Sequence, residues 1–278
     1  MSSNQSVPVI TAGGAAIPQI GLGTWHLHGE VVDGAVATAV AAGYRHFDTA
    51  AYYDNETDVG HALRATGLAR DSYFLTTKVW YTELGRDALR KAAEASVERL
   101  GLGAVDLLLL HWPNPEIPLA ETMKALCAAK RDGLAKHIGV SNFPISLLKQ
   151  ALALTSEPIV ANQCECHPRL NQKPLKNFCD DNDIAFVAYS PIGSGKLTEH
   201  PVLSGIAATH GKTSAQVMLR WHLQRGNIAI PRSSKPERVC ENIAVTDFAL
   251  SAEEMGAIDE MNAPDGRMIS PSWVKSWE

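Results

Sequence analysis

Groups able to do chemistry recur in this chain directly behind short apolar runs. In order they are Thr24-Trp25, Asp48, Lys78, His111, Ser141-Asn142, Gln163, Tyr189-Ser190 and Arg232-Ser233. A carboxylate, an ammonium, an imidazole, amides, a phenol and a guanidinium are among them. Such a set suits polarising a bound group and moving a proton. Tyr52 and Tyr53 lie a few residues beyond Asp48, in a loop from which either phenol can reach the same place. These residues are scattered over most of the chain, so the chemistry depends on a fold that gathers them.

The runs that precede them read as strands: Gln19–Gly23, Tyr44–Asp48, Tyr73–Lys78, Val105–His111, Ala135–Ser141, Ile159–Gln163, Ile184–Ser190 and Ile228–Pro231. Val105-Asp106-Leu107-Leu108-Leu109-Leu110 is almost continuously apolar, the pattern of a parallel strand buried on both faces. Helical periods fall between the runs. Arg86–Leu100 places Leu89, Ala93, Val97 and Leu100 on one face, and Leu119–Lys130 does so with Leu119, Met123 and Leu126. Thr213-x-x-Gln216 and Ser251-x-x-Glu254 are capping boxes, the second with a Leu250–Met255 staple. Val7–Ile10 and Ile17–Ile20, around Gly13-Gly14, predict a β-hairpin. Strand ends recur about every 30 residues, the size of one βα unit. The glycine fingerprint of an open dinucleotide-binding sheet is missing, because His26 stands where Gly21-Leu22-Gly23 needs its third glycine. The expected fold is therefore a (β/α)8 TIM barrel with an N-terminal β-hairpin, residues 1–278 forming one domain. In such a barrel all the strand ends point to one face, which hosts the active site.

Composition narrows the function. A net charge of −5 in 278 residues gives no basic footprint for nucleic acid. No apolar run has the length to span a membrane. The start, Met1-Ser2-Ser3-Asn4-Gln5-Ser6, lacks the features of a signal peptide, and five cysteines without framework spacing suit a reducing compartment. A cytoplasmic protein acting as a monomer is expected.

The motifs around the strand ends resemble a known family. Gly43-Tyr44-Arg45-His46-Phe47-Asp48-Thr49-Ala50 with Tyr53 and Asn55-Glu56 is similar to a signature of the aldo-keto reductases. So are Thr76-Thr77-Lys78-Val79-Trp80, His111-Trp112-Pro113 and Ile138-Gly139-Val140-Ser141-Asn142-Phe143. Asn162-Gln163-x-Glu165-x-His167-Pro168 and Ile230-Pro231-Arg232-Ser233 with Arg238-x-x-Glu241-Asn242 complete the series. The length and short loops look most like the bacterial 2,5-diketo-D-gluconate reductases. The resemblance implies a catalytic tetrad of Asp48, Tyr53, Lys78 and His111, and it selects Tyr53 over Tyr52. Residue chemistry agrees. Hydride addition to a carbonyl leaves an alkoxide that needs a proton; Lys78, held by Asp48, is expected to lower the Tyr53 pKa, and His111 to donate to the carbonyl oxygen.

Hydride transfer requires a nicotinamide cofactor, since side chains cannot supply hydride. By resemblance Ser141, Asn142 and Gln163 hold its carboxamide, Tyr189 stacks under its ring, and Ser190, Glu241 and Asn242 contribute. Arg232, Ser233, Ser234 and Lys235 with Arg238 form a cationic helix start suited to a 2′-phosphate. NADPH (as NADP in its oxidised form) is therefore expected, with NADH as a weaker alternative; arginine stands at 232 where the family usually has lysine. Trp25, Tyr52, Trp80, Trp112 and Trp273 are the candidate pocket for a small carbonyl substrate. The short loop behind His111 and the short tail predict an open, shallow mouth.

Other readings are weaker. Cys164-x-Cys166-His167 has no second ligand pair at zinc spacing, so no metal is expected. His26-Leu27-His28 has the spacing of a barrel metal site but lies in a variable loop. A short-chain dehydrogenase would need Tyr-x-x-x-Lys, which does not occur. A non-catalytic nicotinamide-binding regulatory subunit on the same fold is the alternative, against which the complete tetrad argues.

Overall fold

In the computed structural model, which describes residues 7–274 and Trp277, the chain opens on the expected hairpin, β1 (Val9–Ala12) against β2 (Ala15–Pro18). Its turn falls on Gly13 and Gly14, both at positive φ, and a Cβ on Gly13 would lie 2.7 Å from Val160. Met1–Ser6, where no signal peptide is expected, lie outside the described residues.

Eight parallel strands follow: β3 (Leu22–Gly23), β4 (His46–Asp48), β5 (Phe74–Val79), β6 (Val105–Leu110), β7 (Ala135–Ser141), β8 (Ile159–Glu165), β9 (Ala185–Tyr189) and β10 (Ile228–Ala229). Each pairs with its sequence neighbour. The sheet curls until its edges meet: Ile20 bridges Ala229, the Gly21 N–H donates to the Ala229 carbonyl at 2.9 Å, and the Gly23 N–H donates to the Pro231 carbonyl at 3.0 Å. This is consistent with a TIM-type barrel. The first and last strands are shorter than expected from the sequence. At this seam the backbones approach closely, and a Cβ on Gly23 would lie 2.9 Å from the Ile230 carbonyl oxygen.

Helices cover the outside: α1 (Gly29–Ala42), α2 (Glu56–Ala65), α3 (Arg86–Leu100), α4 (Leu119–Arg131), α5 (Ile145–Leu154), α6 (Lys173–Asp181), α7 (Pro201–His210), α8 (Ser214–Gln224), α9 (Pro236–Ile243) and α10 (Ala252–Asp259). Both capping boxes form, at Thr213 before α8 and Ser251 before α10. Two helices follow β9, an insertion that a simple repeat of one strand and one helix does not anticipate. Two apolar cores result. One lies between sheet and helices; the other fills the barrel, where Ala12, Ala15 and Ile17 of the hairpin pack against Phe74, Leu107 and Val160. The hairpin thus closes the end opposite the strand C-termini. Among the described residues no helix is long and apolar enough to cross a membrane.

Candidate active site

Asp48 ends β4, Lys78 lies one residue before the end of β5, and His111 directly follows β6. Tyr53 closes a single helical turn, Ala51–Tyr53, behind β4. That turn is braced by Asn55, which is buried. Its Nδ2 donates to the carbonyls of Thr24 and Leu27, both at 2.8 Å, and its Oδ1 accepts from the Thr49 hydroxyl at 2.8 Å. The next residue, Glu56, accepts from the Thr77 hydroxyl and takes Arg99 Nε at 2.8 Å and Nη2 at 2.6 Å. The two contacts fix the Tyr53 turn against β5 and α3.

Lys78 is completely buried, yet its ammonium is satisfied: Nζ donates to Asp48 Oδ1 at 2.6 Å, to the Thr49 carbonyl at 2.8 Å and to the Tyr53 hydroxyl at 3.4 Å. Burial works against its charge, but Asp48 and Tyr53 more than offset it, and its pKa is raised. Burial also raises the Tyr53 phenol above its ordinary value; the Lys78 charge pulls it down without cancelling that effect. The expected net lowering of Tyr53 is therefore corrected: the loss of solvent around the phenol outweighs the ammonium. His111 is driven well below its ordinary pKa by burial and then by Lys78, which keeps the imidazole neutral. Its ring meets Tyr53 edge-on at 5.6 Å and Trp80 at 5.1 Å, and its Nδ1 is buried without a partner among the described residues.

Geometry separates the two tyrosines. Tyr53 reaches Lys78, whereas Tyr52 is 56 % exposed and stacks flat on Trp80 at 3.7 Å.

Asp48, Tyr53 and His111 open into a cavity of about 530 Å³. Lys78 stands behind this wall. Gln163 Nε2 donates to Asp48 Oδ2 at 2.8 Å, so the carboxylate ties β8 to β5. Asn142, at φ +63°, donates to the His111 carbonyl and to Ser141 Oγ, both at 3.0 Å, and accepts from the Tyr189 hydroxyl at 2.9 Å. Ser141 lies beneath, donating to the Gln163 carbonyl at 2.7 Å. Tyr189, Ser190, Arg232 and Arg238 face the cavity. Arg232 is engaged elsewhere: its Nε donates to the Trp25 carbonyl at 3.0 Å and its Nη2 to that of His26 at 3.4 Å. Among the described residues no hydrogen bond or ion pair holds the Arg238 guanidinium. Ser233, Ser234, Glu241 and Asn242 are not brought to the cavity. Glu241, in the last turn of α9, receives the Thr213 hydroxyl from the start of α8, and Asn242 is buried.

Trp25, Tyr52, Trp80, Trp112 and Trp273 all line the cavity. The tail contributes Ile269, Pro271 and Trp273 to the wall, and Trp273 stacks on Tyr81 at 4.7 Å. Two groups were not singled out from the sequence. The loop after β9 brings Pro191, Ile192 and Ser194 to the wall, with positive φ at Ser190, Gly193, Ser194 and Gly195; its Ser-Pro-Ile-Gly-Ser-Gly composition was the available signal. Ile269 and Pro271 carried none. Cys164 and Cys166 are buried free thiols raised to about 12 by burial, and no three His, Cys, Asp or Glu side chains converge among the described residues.

Comparison with known proteins agrees with this geometry. The sequence profile of the aldo/keto reductase family matches residues 19–263. An aldo-keto reductase of Mycobacterium sp. (strain KMS) is 46% identical over 259 residues, covering 93% of each chain. An uncharacterized oxidoreductase of Bacillus subtilis (strain 168) is 42% identical over 254 residues, covering 90% of each. A crystal structure assigned to a 2,5-diketo-D-gluconic acid reductase B superimposes with a TM-score of 0.94 at 37% identity, covering 98% of this chain and 97% of that one. A match of this extent, in sequence and in three dimensions, makes the chain a member of the aldo-keto reductase family of oxidoreductases.

Proposed function

We propose that this protein is an NADPH-dependent carbonyl reductase in which Tyr53 protonates the substrate oxygen. The observation that carries the reading is the 3.4 Å contact between the Tyr53 hydroxyl and the buried Lys78 ammonium at the cavity wall. A nicotinamide cofactor fits the residues present. The Asn142 and Gln163 amides and the Tyr189 ring border the cavity beside Asp48, and the unpartnered Arg238 guanidinium with Arg232 makes a donor set for a phosphate. NADPH, when bound, supplies the hydride.

The chain's own residues do the rest. As charge develops on the carbonyl oxygen, a neutral His111 N–H donates to it. Tyr53, kept protonated by its raised pKa, gives up its proton to the far more basic alkoxide. The phenolate so formed faces the Lys78 ammonium, and Asp48 holds that ammonium in place. Tyr189 and Asn142, joined through the phenol, give the cofactor ring a fixed wall.

We read the chain as one (β/α)8 domain working as a cytoplasmic monomer; its five unpaired cysteines support a reducing compartment. Its likeness to a 2,5-diketo-D-gluconic acid reductase points to aldehydes, dicarbonyls and keto-sugar acids as substrates. NADPH consumption should be followed over a panel of these, with the alcohol product identified. NADPH binding without consumption of any carbonyl would favour the non-catalytic nicotinamide-binding subunit instead.

A further inference from the structure

The part of the cavity wall formed by Ile269, Pro271 and Trp273 belongs to no helix or strand. Contacts alone must place it. The tail is first seated on the loop behind β8, where the Ala263 N–H donates to the Arg169 carbonyl at 3.1 Å and the Asn171 N–H donates to Asn262 Oδ1 at 2.9 Å. A Cβ on Gly266 would collide with that same Arg169 carbonyl. Beyond this point one side chain takes over. Glu165, the last residue of β8, is 0 % exposed. Its Oε1 accepts the Met268 N–H at 2.7 Å, and its Oε2 accepts the Ile269 N–H at 3.0 Å. His167 Nε2 lies 3.0 Å from Oε1 and fixes the rotation of the carboxyl. Two consecutive amides of a coil are thus clamped by one buried group. Releasing them would leave that group buried with its acceptors unmet, which is costly.

We propose that Glu165 is the positioning residue that sets substrate selectivity. By clamping Met268 and Ile269 it holds the tail over the cavity and so favours carbonyl compounds whose apolar group reaches Ile269 and Trp273. Aryl and branched aliphatic aldehydes use that wall; glyoxal-sized substrates do not extend to it. Glu165 itself does not line the cavity and acts only through the tail. The inference rests on the cavity being the carbonyl site.

Glu165→Gln tests it. The variant keeps the shape but turns an amide NH2 toward one of the two N–H donors. The Arg267–Met268 bond lies at the clamp, so trypsin reports release without any turnover. Tryptic cleavage at that bond should become about ten-fold faster or more, the consequence of losing a charge-assisted hydrogen bond. KM for an aryl aldehyde should rise by about ten-fold while kcat changes little, since binding and not the chemical step is lost. KM for methylglyoxal and NADPH affinity should stay at wild-type values. Unchanged cleavage, or KM rising equally for both substrates, would overturn the proposal. If Glu165→Gln does not fold, Ile269→Pro, which removes one clamped N–H, should speed cleavage at Arg267, whereas Ile269→Ala should not; equal cleavage in the pair would overturn it. A wild-type protein that reduces no carbonyl would sink the reductase reading alone, because the proteolysis result stands apart from turnover.

Discussion

Replacing Tyr53 by Phe removes one oxygen atom from the site, and the structure indicates what that oxygen does. Among the described residues it makes a single long hydrogen bond, 3.4 Å to Lys78, while the ammonium keeps Asp48 at 2.6 Å and the Thr49 carbonyl at 2.8 Å. The cost in stability should therefore be about 1 kcal/mol or less. Catalysis should suffer far more. General acid help contributes about 10² to 10⁴ in rate, or about 2.7 to 5.5 kcal/mol of barrier. The neighbouring Tyr52 stacks on Trp80 at 3.7 Å, and Tyr53 is the phenol that reaches Lys78. The assay is kcat/KM for an aldehyde with NADPH, alongside a fluorescence titration of NADPH and a melting curve. NADPH affinity and Tm should be close to wild type while kcat collapses. Tyr52→Phe retains the stacked ring and should retain activity. Wild-type turnover in Tyr53→Phe would refute the assignment, and loss of activity in Tyr52→Phe would move it to the other tyrosine.

Tyr53 is raised above 10.0 and His111 pushed well below 6.5, so kcat/KM for reduction should be flat between about pH 7 and about pH 9; an inflection near 6.5 would show that His111 titrates during turnover. Buried His46 and His111 are lowered from 6.5, and His222 falls to about 3, so each binds fewer protons folded than unfolded; stability present above 6.5 is lost as pH falls through the folded values. Each should contribute up to about 1.4 kcal/mol per pH unit of destabilisation, read as a Tm that declines below neutrality and fails to decline if the imidazoles are charged in the fold. Arg238→Ala should weaken NADPH by about ten-fold or more and NADH little, whereas Arg232→Ala should also loosen the loop at Trp25 and His26; equal losses for both cofactors in Arg238→Ala would remove it from phosphate recognition. Turnover should survive exhaustive chelation, because Lys78 and His111 supply the polarising charge and donor; activity lost to a chelator and restored by zinc would reverse this.

The strands that carry Asp48, Lys78 and Gln163 were legible because a parallel strand buried on both faces must be apolar, so a polar residue at its end stands out. The helix caps at Thr213 and Ser251 were legible because a capping box is a local bond pattern. The choice between Tyr52 and Tyr53 was not, since adjacent residues share composition and differ only in direction. Nor was the tail. Ile269 is an ordinary aliphatic residue, and what places it is Glu165, distant in sequence but close through the fold. The direction of the Tyr53 shift is hidden from the sequence for a related reason: the Lys78 charge can be read from residue types, whereas the depth of burial belongs to the assembled site.

The seam between residues 19–23 and 229–231 also matters during synthesis. The first strand leaves the ribosome long before the eighth exists. Until then the nascent chain holds a half-curled sheet with an open edge, the feature that invites pairing with other chains. The apolar side of the hairpin waits as well, because Ala15 and Ile17 find their partners only when Leu107, Val160 and Val187 have been made. Neighbouring strands are joined through the helices between them, two in the case of β9 and β10, and each pair can form as it emerges. Ring closure alone joins the two ends of the sequence and carries the largest loop entropy. Slowed translation or truncation ahead of Ile228 should therefore produce chains that chaperones retain, even where every earlier unit is intact.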